Sequence, residues 1–146
     1  MNQEMRVGVL LIAVLLLAGC GGNSRRDYLT RNGAIVQSLP RYPGAVEWHE
    51  ISTPEYGKGE ASNPTGYTTT VVYRVPRGTT GASVERFYAT RLGRRGWRSV
   101  INPTVRRFTK GRALVALNTV FLAPAQRRLG EQIYDLVVDY RGAGPG

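Results

Sequence analysis

Apolar side chains recur at helical spacing between Gly81 and Gly96, and this stretch constrains the fold more than any other. Four of them stand at positions i, i+3, i+4 and i+8: Val84, Phe87, Tyr88 and Leu92. This spacing predicts a helix with one apolar side, which Thr80 or Ser83 caps and Gly96 ends. Such a helix is stable only against a second apolar layer, so the chain must supply a sheet.

Two segments before this helix are predicted strands. Residues 67–75 alternate in polarity, with Tyr67, Thr69, Val71, Tyr73 and Val75 on one face. Residues 46–51 favour a first, short strand. The prolines and glycines of residues 53–66 predict a mobile loop between the two.

Four further strands are predicted after the helix, at residues 97–101, 105–109, 112–120 and 132–140. The last alternates, with Tyr134, Leu136, Val138 and Tyr140 facing inward and Asp135 and Asp139 outward. Trp97 follows Gly96 directly, and we expect it to be buried beneath the helix.

The order of elements predicts an α+β fold: an antiparallel sheet of about five or six strands, with one main helix packed on one face. Residues 25–39 also favour a helix, with Ser24 as its N-cap, although Asn32-Gly33 is a turn signal inside it. Pro40 ends this segment, and the folded domain is predicted over residues 40–146.

The first nineteen residues have the pattern of a leader peptide. No charged residue occurs from Val7 to Ala18, and this run is too short to span a bilayer comfortably. Leu17-Ala18-Gly19-Cys20 resembles the lipobox of bacterial lipoproteins. The resemblance implies cleavage after residue 19, lipid on the Cys20 thiol, and residues 20–39 as anchor, tether and predicted helix.

Cys20 is the only cysteine, so the chain cannot form an internal disulfide, and lipidation accounts for a thiol that would otherwise be unpaired in an exported protein. The lipobox resemblance implies a location on the outer face of the plasma membrane. Because Gly21 follows the cysteine where inner-membrane lipoproteins carry aspartate, it equally allows the outer membrane of a cell with two membranes.

The domain after the leader also resembles a known group. Tyr42-Pro43-Gly44-Ala45, the apolar helix stripe and Gly96-Trp97 are similar to a small domain of exported bacterial lipoproteins of unassigned function. The resemblance implies a fold and no activity.

The chain is strongly basic, with 20 Lys and Arg against 10 Asp and Glu and a net charge of +10. Removing the leader takes away Arg6 and Glu4 together, so the charge is unchanged. Outside the cytoplasm this charge points away from nucleic acid and towards anionic lipid, envelope polymers or acidic proteins. The alternative is that the arginines only solvate the surface.

The cations cluster in the sequence around the end of the helix and the turn at Lys110-Gly111. We take seven of them as the candidate anion-binding residues: Arg94, Arg95, Arg98, Arg106, Arg107, Lys110 and Arg112. Arginine suits this role because its planar guanidinium can form two hydrogen bonds with one phosphate or carboxylate.

Catalytic and metal-binding patterns are sparse. The chain has one histidine, His49, and no Gly-x-Ser-x-Gly motif, so nucleophilic acyl transfer has no local support. Asp135 and Asp139 would lie about 13 Å apart along a strand and could not chelate one ion; arginines across the strands are their expected partners. The residues therefore predict neither a metal site nor a cofactor.

Three functions remain open. The leading hypothesis is a non-catalytic, lipid-anchored interaction or assembly module for an anionic partner. The second is a small hydrolase whose carboxylates come from Glu47, Glu50, Glu55 and Glu60, which requires two of them in a deep pocket. The third is a ligand sensor or inhibitor subunit, which requires an open apolar groove lined by Tyr67, Tyr73 or Tyr134.

Overall fold

The computed structural model describes residues 25–56, 64–101, 105–123 and 132–141. Its elements, in chain order, are α1 (Arg25–Ser38), β1 (Val46–Tyr56), β2 (Pro64–Arg74), α2 (Gly81–Gly93), β3 (Arg98–Ile101), β4 (Arg106–Lys110), β5 (Ala113–Asn118), a 3-10 turn (Val120–Leu122) and β6 (Ile133–Tyr140).

The strands form one six-stranded sheet in the order β1-β2-β6-β5-β4-β3. Every neighbouring pair is antiparallel, and the last strand in sequence, β6, lies in the middle of the sheet between β2 and β5. The predicted α+β class with an antiparallel sheet is therefore confirmed.

The first hairpin is longer than the sequence suggests. β1 and β2 each contain 11 residues, and Pro54 pairs with Tyr67 inside the hairpin. The loop predicted for residues 53–66 is thus wrong at both of its ends, and residues 57–63 lie outside the described part. The physical reason is that β1 is an edge strand of the sheet, where a proline can point its missing N–H away from the ladder.

Helix α2 has the predicted cap and the predicted buried stripe. The Thr80 hydroxyl accepts a hydrogen bond from the backbone N–H of Ser83, and the Ser83 side chain accepts one from Thr80 in return. Val84, Tyr88 and Leu92 are fully buried. The helix ends at a reversal through Gly96, whose φ of +80° favours glycine.

The core lies on the sheet face that α2 covers. Three tyrosines pack together in it. The ring centroid of Tyr134 lies 5.2 Å from that of Tyr73 and 5.8 Å from that of Tyr88. Aliphatic residues surround them: Val71, Val84, Leu92, Val115, Leu117, Leu122, Leu136 and Val138. Trp97 packs against this cluster but is only half-buried, so the expectation that it is buried is confirmed only in part.

Helix α1 is joined to the same face through a polar residue. Asn32 is fully buried, donates to the carbonyl of Tyr67 at 2.7 Å, and accepts from the N–H of Tyr140 at 2.9 Å. Ile35, Val36 and Leu39 pack against the core cluster. Asn32 thus bonds to β2 and β6 at once, which explains how a residue typical of turns can occupy a helix interior.

Candidate anion-binding site

The strand pairing aligns one residue from each strand in a row across the sheet, near one end of the strands. From β1 to β3 in sheet order, these residues are Thr53, Thr68, Asp139, Leu114, Thr109 and Arg98. We name the end of the sheet at this row the Arg98 end; there β2 and β3 begin, and β4 and β6 end. The opposite end, where β1 begins and β2 ends, is the Arg74 end.

Five of the seven predicted cations lie at the Arg98 end, and we call four of them, Arg94, Arg95, Arg98 and Lys110, the basic corner. The Lys110 ammonium donates to the backbone carbonyl of Arg95 at 2.7 Å, which joins the end of β4 to the end of α2. The reversal at Gly96 brings Arg98 into β3 beside Thr109, so Arg98 stands at the same end of the sheet as Lys110 but on the opposite face. All four residues are exposed.

The other three predicted cations do not belong to the basic corner. Arg106 lies beneath α2, with its Nε atom 3.6 Å from the Glu85 carboxylate. Arg107 pairs with Val100 and Ala116 on the sheet face opposite the core. Arg112 follows the β4–β5 turn at the Arg98 end, where its carbonyl accepts from the N–H of Arg141. The seven residues therefore do not form one patch.

Charge is distributed unevenly between the two ends of the sheet. Among described residues the Arg98 end carries nine basic and three acidic side chains. These are Arg25, Arg26, Arg31, Arg94, Arg95, Arg98, Lys110, Arg112 and Arg141, with Asp27, Glu55 and Asp139. The other described charges lie along α2, in the middle of the sheet or towards the Arg74 end, and they comprise seven basic and four acidic side chains: Arg41, Arg74, Arg77, Arg86, Arg91, Arg106 and Arg107, with Glu47, Glu50, Glu85 and Asp135.

The cations of the basic corner have no carboxylate partner within the part of the chain that the structure describes. The ion pairs found there join Arg41 to Glu47, Arg106 to Glu85 and Arg141 to Asp139. Arg95 instead donates to the backbone carbonyl of Ser38, at the end of α1. The corner can therefore accept an anion without first breaking an ion pair.

Two of the three tyrosines named for a ligand sensor, Tyr73 and Tyr134, do not line an open groove. Tyr73 and Tyr134 are buried, and the Tyr134 and Tyr88 hydroxyls are hydrogen-bonded to each other at 2.9 Å. Burial raises the pKa of Tyr134 to about 12 and raises that of Tyr88 further. Both hydroxyls stay protonated at ordinary pH, so this cluster is part of the core. The third tyrosine, Tyr67, is half-buried and packs against the Tyr28 ring, with the ring centroids 6.2 Å apart.

The carboxylates proposed for a hydrolase are scattered. Glu47, Glu50 and Glu55 are all exposed on β1, while Glu60 lies outside the described residues. Partial burial, followed by the nearby Asp139 charge, raises the pKa of Glu55. No group of three or more His, Cys, Asp or Glu positioned to hold a metal ion occurs among the residues that the structure describes.

An apolar groove of about 510 Å³ lies on the sheet face opposite the core, and the sequence did not point to it. Its walls are Trp48, His49, Val72, Phe121, Ile133 and Asp135. Asp135 accepts a hydrogen bond from the Asn118 side chain at 3.1 Å and forms no ion pair with a described arginine, whereas Asp139 pairs with Arg141. Alternation could have shown that Val72 and Ile133 share a face, but Phe121 comes from an irregular turn.

No family model, curated protein or solved structure matches this chain. The resemblance to exported lipoproteins therefore stays a prediction. Cys20 and the leader lie outside the described residues. None of the described helices is long and apolar enough to cross a bilayer.

Proposed function

We propose that this protein is a non-catalytic, lipid-anchored module of the bacterial cell envelope that binds an anionic partner through the basic corner. The lipid is attached to Cys20 and holds the domain on the outer face of the plasma membrane, or at the outer membrane where the cell has two. The observation that carries the proposal is the exposure of Arg94, Arg95, Arg98 and Lys110 at one end of the sheet, with no carboxylate partner among the described residues.

The chemistry of the corner supports binding more than catalysis. Arginine and lysine there are exposed donors, and neither the histidine nor any carboxylate of β1 stands within the corner. Exposed charge pairs contribute about 0.2–1 kcal/mol each, so several cations must act together to bind with useful affinity. Such binding weakens steeply as salt rises, because the Debye length shortens from about 10 Å at 0.1 M to about 3 Å at 1 M.

The anion-binding part is tested with fluorescent polyglutamate and the full-length protein. We expect Arg94→Gln/Arg98→Gln to weaken binding about tenfold at low salt. The matched control is Arg77→Gln/Arg86→Gln, which removes the same charge from exposed positions towards the Arg74 end and should have little effect. Equal weakening in both variants would show that only overall charge matters and would refute a site at the corner.

The anchor is tested separately in a bacterium that acylates lipoproteins. Cys20→Ser should lose the acyl chains and leave the membrane fraction, as followed by mass spectrometry and fractionation. An equally membrane-bound Cys20→Ser protein would rule out the proposed attachment at Cys20.

A further inference from the structure

The start of α1 lies at the same end of the sheet as the basic corner. The Tyr28 hydroxyl donates to the carbonyl of Thr65 at 2.9 Å, near the beginning of β2. The other end of α1 reaches the corner, since Arg95 donates to the carbonyl of Ser38. Helix α1 therefore extends along the Arg98 end, from the first hairpin to the end of α2.

Cys20 must lie close to this end whatever path the intervening chain takes. Arg25 is the fifth residue after Cys20, and five extended residues span at most about 18 Å. A lipid on Cys20 would thus bring the Arg98 end, with its nine basic and three acidic side chains, near the headgroups. The less basic Arg74 end would face away.

We infer that the anionic partner of the basic corner is the phospholipid surface that holds the protein's own lipid, so that the domain stands on the bilayer with its Arg98 end down. This inference rests on the proposed function and specifies its partner. The anchor alone would leave the domain free to rotate about its tether. Each arginine or lysine near an anionic bilayer favours the docked orientation about fivefold, and several act at this end.

The two tryptophans of the chain allow the orientation to be measured. Trp97 lies between Arg95 and Arg98 in the basic corner, whereas Trp48 lies at the start of β1, with the Arg74 guanidinium 4.2 Å from its ring centre. Trp48→Phe leaves Trp97 as the only indole, and Trp97→Phe leaves Trp48. Each single-tryptophan protein, full-length and acylated, is placed in vesicles that contain a lipid with a spin label on its headgroup.

We expect the spin label to quench Trp97 more strongly than Trp48 in phosphatidylglycerol-containing vesicles at low salt. The difference should disappear in pure phosphatidylcholine and at high salt. Adding Arg94→Gln/Arg98→Gln should lower the ratio of docked to undocked protein about 25-fold, while Arg77→Gln/Arg86→Gln should keep the quenching difference.

Each result has a separate meaning. Equal quenching of the two indoles in anionic vesicles, with Cys20 acylated, would overturn this inference and leave an anchored domain with a different anionic partner. Stronger quenching of Trp48 would overturn it as well. An unmodified Cys20 in mass spectrometry would refute the anchor itself, and the inference with it.

Discussion

The two faces of the sheet are built from the same strands but differ in what they cover. On the face under α2, Val71, Leu136 and Val138 are at most 1 % exposed. On the opposite face Ile51, Val100 and Trp48 are 51–54 % exposed. Since successive residues of a strand point to opposite faces, one strand carries both environments. Most of the packing energy is therefore confined to one face, and substitutions should separate the two.

The largest difference in stability between the two faces is expected when one aliphatic side chain on each face is truncated to alanine. Leu136→Ala removes a fully buried side chain from the central strand and should lower the free energy of unfolding by about 2–5 kcal/mol in urea titration. Ile51→Ala removes a side chain of the same size from the opposite face and should lower it by less than about 1 kcal/mol. Similar losses for both variants would show that another surface covers the second face in solution.

The next largest effect is expected from alkaline pH, which should lower the stability of the core on the face under α2. Burial raises the pKa of Tyr134 to about 12, against about 10 in an unfolded chain. The neutral form is thus favoured in the folded protein, and this contribution is complete below pH 10. It is lost as pH rises towards 12, a loss of about 2–3 kcal/mol in urea midpoints measured across this range.

Tyr134→Phe supplies the control for the alkaline effect. The variant should lose some stability at pH 7, since the Tyr88 hydroxyl loses its partner at 2.9 Å. Its further loss above pH 10 should be smaller than in the unmodified chain, because one titrating group is gone. An identical alkaline profile would place the sensitive group elsewhere.

The polar link between α1 and the sheet should give an intermediate effect. Asn32→Ala leaves the Tyr140 N–H and the Tyr67 carbonyl without their buried partner, which should cost about 1–3 kcal/mol. Amide exchange at Tyr140 should accelerate. Ser38→Ala, which removes only an exposed hydroxyl bond within the last turn of α1, should change stability by less than about 0.5 kcal/mol. A protected Tyr140 amide in Asn32→Ala would argue against this link.

Periodicity predicted the elements whose burial alternates regularly. The stripe of α2 and the strands 67–75 and 132–140 were recognisable because Val84, Val71 and Leu136 recur in step with neighbours on the same face. β1 was underestimated because it is exposed along nearly its whole length and contains Pro54. No apolar face marks such an edge strand.

The candidate site was predictable only as composition. Arg95 and Lys110 are conspicuous in the sequence, but the contact between them depends on the reversal at Gly96 and on the register of β4. Arg106 and Arg107 are adjacent in sequence, and alternation sends them to opposite faces, where Arg106 meets Glu85. A cluster in sequence therefore divides in a sheet, and only strand pairing shows which members remain together.

The smallest expected effect concerns Asp135, in the groove on the sheet face opposite the core. Burial raises the pKa of Asp135 from its ordinary value, and the hydrogen bond from Asn118 offsets part of this rise. The charged carboxylate therefore disfavours the folded state above the raised pKa, and this penalty fades as pH falls towards the unfolded value near 4. Asp135→Asn should stabilise the protein by up to about 1 kcal/mol at pH 7 in urea titration, and the gain should shrink near pH 4. A loss of stability at pH 7 would mean that the carboxylate has a favourable partner. The face opposite the core would then contribute more to stability than the exposure of Ile51 and Val100 indicates.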